Sequence, residues 1–447
     1  MLKKIVASWY FRRNEFVKLL APDMQNKLTP HKKIWAYYKL GIYSKVIELK
    51  GDLEDWRILL AKIVSHTALG NKKDAKLLYE KWIMKSSNKQ HNILLAKDLL
   101  PYIPQKSFEL LDPKDEPVLY SALLVRLNHL PEAKKYIEQL LKQKVQKKNF
   151  EILLHYSNAI NCDNYAKLKL FNEYLVEFGL HKLQMKDNNL PYSVANITSD
   201  YRKMIQRDEL ISIIMTAYNS EQTIAIAIES ILKQSYLNFE LIIVDDASDD
   251  DTLMIIQKYM DIDSRIKVMQ LKENIGTYRA RNIALKEAKG EFVTFHDSDD
   301  YSLPVKLENQ VLPLLKDIKL IASVSNWIRL STNGMYYARS VYPLLRLNHS
   351  SLLFRKKKVI EKVGYFDNVR TGADSEFFTR LILVFNRKAI IRIKQPLSLG
   401  SHRENSLMTA KDTGYNEAGI SSQRQEYWEK WNTWHIKNQN KLYKEQK

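Results

Sequence analysis

Residues Val293-Thr294-Phe295-His296-Asp297-Ser298-Asp299-Asp300 open as an apolar, β-prone run and end in three carboxylates within four positions. A buried strand that delivers acids to its C-terminal tip is what an α/β sheet does at its ligand crevice. Three carboxylates this close repel one another unless a cation or a web of donors sits among them. Oxygen-only ligands on a short loop suit a hard ion, Mg²⁺ or Mn²⁺, which brings substrate phosphates with it. Taken alone, the stretch reads equally well as a solvated, Asp-rich turn. Its neighbours have to decide.

From Glu209 onward they place it inside an α/β sheet. Leu210–Met215 is a buried strand with the polar exit Thr216-Ala217-Tyr218-Asn219-Ser220, and a helix with Ile224, Ile228, Ile231 and Leu232 follows. A second strand, Glu240–Val244, ends in Asp245-Asp246-Ala247-Ser248-Asp249-Asp250. A helix from Leu253, a strand at Ile266–Met269 and the loop Asn274-Ile275-Gly276 lead to a helix carrying Arg279, Arg281 and Asn282. Strand and helix alternate through short loops, which predicts a mainly parallel sheet with its ligands at the strand C-termini.

Residues 1–190 read differently, as helix throughout. Apolar positions recur at three and four through Ile58–Ala61 and His66–Leu69, stop at Gly70-Asn71, and resume at Ala75–Tyr79, which is a helical hairpin. Turns at Gly41, Gly70, Leu130 and Asn161 are compatible with a period of about 30 residues, close to that of tetratricopeptide-type α-hairpin repeats. Such a stack offers a binding face, and a packing scaffold explains the pattern equally. Residues 191–208 read as a linker, and residues 411–447 as a basic, Trp-rich helical tail. In that tail Tyr427, Trp428, Trp431 and Trp434 fall at helical spacing among Arg424, Lys430 and Lys437. The stripe suits either a membrane interface or the protein's own core.

Composition narrows the classes further. A chain of 447 residues that is 45% hydrophobic and 27% charged, with 12 Gly and 12 Pro, is ordinary for two or three globular domains rich in helix. One cysteine permits no intrachain disulfide and no Cys-based metal centre, which suits a reducing compartment. No run of 18 apolar residues spans a membrane, and the short N-terminal apolar stretch is interrupted by Arg12 and Arg13, unlike a secretory signal. The formal charge of +19 asks for an acidic partner: nucleic acid, anionic lipid or a polyanionic glycan.

Thr216-Ala217-Tyr218-Asn219, Val244-Asp245-Asp246-Ala247-Ser248, Asn274-Ile275-Gly276 with Ala280-Arg281-Asn282, and Asp297-Ser298-Asp299-Asp300 occur in register. Together they resemble the family 2 glycosyltransferases of GT-A fold, the inverting, nucleotide-sugar-dependent class, over about residues 209–410. The resemblance implies an α/β GT-A catalytic domain beside an all-α helical domain. It assigns Thr216, Tyr218, Asp246, Arg281 and Asp297 to the nucleotide-sugar. It assigns Asp299 to a Mg²⁺ or Mn²⁺ ion, with Asp297 between metal and ribose and His402 as a further ligand. Asp300 would ligate or orient the others, and His296 is read as a packed histidine.

Inversion at the sugar carbon needs a base for the acceptor hydroxyl. Asp374, in Thr371-Gly372-Ala373-Asp374-Ser375-Glu376, matches the family's acidic motif, with Ala373 where an acid usually precedes the base. Asn348–Arg355 and Val363–Asp367 resemble the acceptor side, and Ser401–Ser406 the loop that closes over the diphosphate, with Arg403 as a phosphate contact. The implied reaction moves a sugar from a UDP-activated donor to a glycan or lipid-linked acceptor in capsule or lipopolysaccharide synthesis. The implied place is the cytoplasm, peripheral on the inner membrane face. A non-catalytic helical scaffold with a degenerate transferase domain is the rival reading, and no recognised motif supports nucleic-acid binding.

Overall fold

The computed structural model describes residues 2–85, 88–160, 162–403, 414–416, 419–439 and 441–445. The chain divides into two compact units. One gathers residues 1–127, 339–341 and the described part of 404–442; the other gathers 128–338, 342–403 and the described part of 443–447. Among the described residues no helix is long and apolar enough to cross a membrane.

The second unit is built on a sheet that alternates with helices: β1 (Ile211–Ala217), α1 (Ile224–Leu232), β2 (Phe239–Asp245), α2 (Thr252–Ile262), β3 (Ile266–Gln270), α3 (Thr277–Glu287) and β4 (Phe292–Asp297). The chain continues through β5 (Tyr301–Ser302), α4 (Lys306–Lys316), β6 (Ala322–Ser331), β7 (Leu353–Arg355), α5 (Lys356–Val363), α6 (Ala373–Phe385) and β8 (Ile390–His402). The strands stand in the order β3-β2-β1-β4-β7-β6-β8-β5. β1 to β4 are mutually parallel, whereas β7 runs antiparallel to both β4 and β6. This is the mixed, mainly parallel sheet that the alternation predicted.

Burial explains the sequence pattern. β1 and β2 are buried along their whole length, so they read as unbroken apolar runs. Successive side chains still point to opposite faces. Ile214, Ile242, Val244 and Phe295 join one core with Tyr278, Phe366 and Phe377, while Ile213, Met215, Leu241 and Ile243 join the other with Ile228, Ile231 and Leu307. One buried acid ties the strands at their N-terminal ends. Glu240 accepts from Ser212 Oγ (2.7 Å), Lys267 Nζ (2.6 Å) and the Lys289 backbone N–H (2.6 Å). Gly290 follows, and a Cβ there would meet the Ser212 nitrogen at 2.5 Å, so the close approach of loop and strand requires glycine.

The domain boundaries differ from the sequence expectation. The helices Leu130–Lys142, Ile152–Ala159 and Asn164–Val176 belong to the same compact unit as the sheet. Asn158 shows why: its amide donates to the Tyr336 carbonyl (2.8 Å) and accepts from the Tyr336 N–H (2.9 Å). Within residues 191–208, expected as a linker, Tyr192, Val194, Asn196, Ile197 and Ser199 are buried, whereas residues 202–204 and 206–208 are exposed. Ile197-Thr198 pairs antiparallel with Gln184-Met185, and Tyr192, Val194 and Ile197 are buried in the core that also holds Leu397 and Leu399. Polar, turn-forming residues there mark tight turns over a core.

The first unit is helical, as expected. Helix Trp56–Ala68 turns at Gly70 (φ +77°) into helix Lys72–Lys85, the hairpin that the periodicity marked. The turn at Asn161 lies outside the described residues. The tail forms helix Ser422–Lys437, and its aromatic stripe faces protein. Trp431 is buried, Trp428 Nε1 donates to the Leu40 carbonyl (2.8 Å), and Glu429 accepts from the Ser44 N–H (3.0 Å). Protein packing thus takes up Trp428 and Trp431, while Tyr427 and Trp434 are half-buried.

Candidate active site

The parallel register brings the strand-tip residues side by side. Thr216 stands directly opposite Asp297 on the neighbouring strand, and Ala217 opposite Asp245. The loops leaving β1 and β2 are knitted together. The Asn219 side chain bonds Asp249 in both directions (2.6 and 3.1 Å), and the Ser220 N–H donates to Thr252 Oγ1 (2.7 Å). Asn219 and Ala247 take positive φ, 46° and 63°, to turn the chain away from the strand ends. Tyr218 is left 49% exposed at this rim, with its ring available for stacking.

Asp246 is buried, and its two oxygens accept the backbone N–H groups of Ile275 and Gly276, each at 2.8 Å. It therefore holds the loop in front of α3 against the β2 tip. Burial raises its pKa beyond what those two donors offset. Asp245, beside it, is fully buried, and its carboxylate meets no hydrogen-bond donor among the described residues. Arg281, one turn into α3, is also buried. Its Nη2 donates to Asp297 Oδ1 at 2.5 Å, and the guanidinium lies 5.0 Å from the Phe295 ring. Asn282, next along, clamps the Phe366 backbone through its N–H (3.0 Å) and carbonyl (2.9 Å), so this motif residue shapes the loop instead of facing a ligand.

The acidic stretch divides as its crowding demands. Arg403 Nε donates to Asp299 Oδ2 (3.1 Å), and the Ser401 N–H donates to Asp300 Oδ1 (3.2 Å). Burial first and neighbouring carboxylates second raise the pKa of Asp299, and that of Asp300 more strongly. Lys306 is buried beneath them; burial lowers its pKa to about 8 against the pull of Asp300 and Asp297. His296 points the other way, Nε2 to Ser230 Oγ at 3.1 Å, with its pKa pushed down to about 3 by burial. It is a neutral, packed histidine.

Two observations bear on a divalent cation. Among the described residues no three His, Cys, Asp or Glu side chains are grouped so as to hold an ion alone. His402, at the end of β8, stacks its ring on Tyr337 at 3.8 Å. The raised pKa values of Asp299 and Asp300, however, mark a place where a nearby positive charge lowers the free energy. Asp297 and Asp299 offer the hard oxygen donors that Mg²⁺ or Mn²⁺ prefers. The set fits an ion held by one or two carboxylates and completed by oxygens from outside the protein.

Asp374 occupies the first turn of α6, entered through Gly372 at φ +83°. Its Oδ1 accepts from the Tyr278 hydroxyl (3.0 Å) and the Ser375 N–H (2.8 Å). Ser375 Oγ in turn meets half-buried His349 Nδ1 at 3.1 Å, and desolvation lowers the His349 pKa. Tyr278 is a functional candidate that sequence reasoning passed over, and His349 lies in the stretch expected on the acceptor side without a role of its own there. Tyr278 stands three residues before Arg281 on one helix face, a spacing that was available as a signal. Glu376 faces elsewhere, in a fully buried pair with Arg380 (2.9 Å) that Lys444 joins (3.1 Å). In the expected acceptor stretch, Phe366 is buried and Asp367 takes Lys444 Nζ at 2.7 Å. Of the loop Ser401–Ser406, residues 404–406 lie outside the described residues.

Residues 212–374 match the description "Glycosyl transferase family 2". Two Escherichia coli relatives are UDP-Glc:alpha-D-GlcNAc-diphosphoundecaprenol beta-1,3-glucosyltransferases. WfgD is 46% identical over 110 residues, 25% of this chain and 43% of its own length. WfaP is 46% identical over 119 residues, 27% of this chain and 46% of its own length. The chain thus spans less than half the length of these relatives. Among solved structures, that of S. aureus TarS 1-349 in complex with UDP-GlcNAc is 27% identical, with a TM-score of 0.38, covering 44% of this chain and 59% of that one. Residues 212–374 are thus similar to the family 2 glycosyltransferases, and they form most of the strand–helix alternation of the mixed sheet, while the N-terminal region is largely helical.

Proposed function

We propose that the protein is an inverting glycosyltransferase. It moves a sugar from a UDP-activated donor to a hydroxyl of a glycan or lipid-linked acceptor, in the synthesis of a bacterial surface polysaccharide such as capsule or lipopolysaccharide. The observation that carries this reading is the set of polar side chains gathered at the strand ends: Thr216 opposite Asp297, Arg281 on Asp297, and Asp374 oriented by Tyr278. The activities of the E. coli relatives support a UDP-sugar donor and a lipid-diphosphate acceptor.

In this reading Tyr218 stacks on the base, while Thr216 and Asp246 line the nucleoside pocket. Arg281 holds Asp297 toward the ribose, and Arg403 meets diphosphate oxygens when it leaves Asp299. Asp299 and Asp297, together with His402, would hold a Mg²⁺ or Mn²⁺ ion, which would supply charge stabilisation for the departing diphosphate. Asp374 takes the proton of the acceptor hydroxyl. Oδ1 is occupied by Tyr278 and Ser375, so Oδ2 is the oxygen left for the acceptor. The acceptor reaches the site from the inner face of the cytoplasmic membrane, where the protein binds peripherally.

The reading predicts UDP release from one of a panel of UDP-sugars with Mn²⁺, lost in Asp299→Ala. Failure to bind UDP at all, measured by calorimetry, would overturn it and favour the scaffold alternative.

A further inference from the structure

Helix Leu2–Arg12 presents the wrong residues to water. It buries Ala7 and half-buries Val6, Tyr10 and Phe11, which is its packing face. Its outer face carries Ile5 (61% exposed) and Trp9 (46% exposed), four residues apart and therefore one above the other. Exposed Arg12 and Arg13 continue that same face one turn later, with the Arg13 guanidinium 4.6 Å from the Trp9 ring. Arg13 and Lys18 both meet Glu15, at 3.2 and 2.8 Å, and Lys32 reaches Ser8 Oγ at 2.9 Å. Across residues 1–50 the chain has 11 Lys and Arg against 3 Asp and Glu, a net charge of +8. Of the tail aromatics, the other candidate for a lipid contact, Trp428 and Trp431 are taken up by protein packing.

We propose that the Ile5/Trp9 face of helix Leu2–Arg12 is an anionic-membrane docking surface. Trp and Ile enter the headgroup boundary, and Arg12, Arg13 and the surrounding lysines meet acidic lipid headgroups. An apolar face flanked by cations is what an in-plane interfacial helix uses, and Trp favours that depth. Each basic residue near the surface adds to the attraction, which falls within a Debye length and so weakens with salt. A soluble acidic protein would answer the charge but leaves Ile5 and Trp9 without an apolar medium. The proposal deepens the membrane part of the proposed function and rests on that part alone, independently of the transferase chemistry.

The test is co-sedimentation of the full chain with phosphatidylcholine vesicles, with and without phosphatidylglycerol, across a salt series. Wild type should bind the phosphatidylglycerol vesicles, release with salt, and ignore phosphatidylcholine alone. Ile5→Ser/Trp9→Ser should bind at least about tenfold more weakly. Arg12→Gln/Arg13→Gln should reduce the salt dependence, and Ile5→Leu/Trp9→Phe should retain binding. All variants should keep the wild-type melting temperature and UDP affinity, since these residues lie outside the site. A wild type that binds neither vesicle, or a Ser/Ser variant that binds like wild type, would overturn the proposal. So would a wild-type dimer that the Ser/Ser variant breaks without vesicles, because the face would then belong to a second copy. UDP binding on the same samples reports separately on the transferase reading.

Discussion

The hydroxyl of Tyr278 donates to Oδ1 of Asp374 at 3.0 Å, joining the helix that carries Arg281 to the helix that carries the proposed base. Burial, then the Asp374 charge, raise the Tyr278 pKa well beyond the ordinary range, so it remains a donor at any physiological pH. Tyr278→Phe removes the donor with little change in volume. It should lower kcat by about tenfold, with a smaller effect on the donor KM, because orientation of the base is lost and not the nucleotide contacts. Steady-state kinetics with UDP release as the readout checks the split.

Arg281 is a stricter case, because its guanidinium is buried against Asp297. Arg281→Met leaves that carboxylate without its buried partner and should raise the donor KM by about tenfold or more. Arg281→Lys keeps the charge but loses the planar fork and should recover only part of the affinity. UDP titration by calorimetry separates the two.

Asp246 accepts two backbone N–H groups, so Asp246→Asn turns one acceptor into a donor facing a donor. The expected cost is about 1–3 kcal/mol of stability, with weakened UDP binding as the Asn274–Gly276 loop loosens. Equal weakening of nucleotide binding without any loss of stability would mean that Asp246 acts only on the ligand.

Glu240 provides a pH test away from the chemistry. Burial would raise its pKa, but Lys267, Ser212 and the Lys289 N–H outweigh that and hold it below the ordinary Glu value. A carboxyl depressed on folding contributes stability in full above its unfolded pKa, about 4.3, and loses it as pH falls through the lower folded value. Wild type should therefore lose stability from about pH 4.5 downward, and Glu240→Gln should show a flatter acid limb. Chemical denaturation at a series of pH values measures both.

Much of this was legible in the residues. Apolar runs ending in acids located Thr216, Asp246 and Asp297, because a doubly covered parallel sheet forces both the run and its polar exit. His296 was legible as a packed residue. The partners of those acids were not: Asp246 binds a loop 29 residues away, and Tyr278 meets Asp374 across 96. Spacing in sequence carries no record of such pairings. Nor could periodicity say that the helices of residues 130–176 join the sheet's compact unit, since an amphipathic stripe reports a buried face and not what covers it. The Trp stripe of the tail was open for the same reason, and the Leu40 carbonyl answers it for Trp428.

The most direct test of the central claim uses wild type and Asp374→Asn side by side, with Mn²⁺, the accepted UDP-sugar and its acceptor. Wild type should give a product whose anomeric configuration, read by NMR, is opposite to that of the donor. Asp374→Asn should bind UDP as tightly as wild type while turning over about a thousandfold or more slowly. Retained configuration in the product, or an Asp374→Asn variant as active as wild type, would contradict the account.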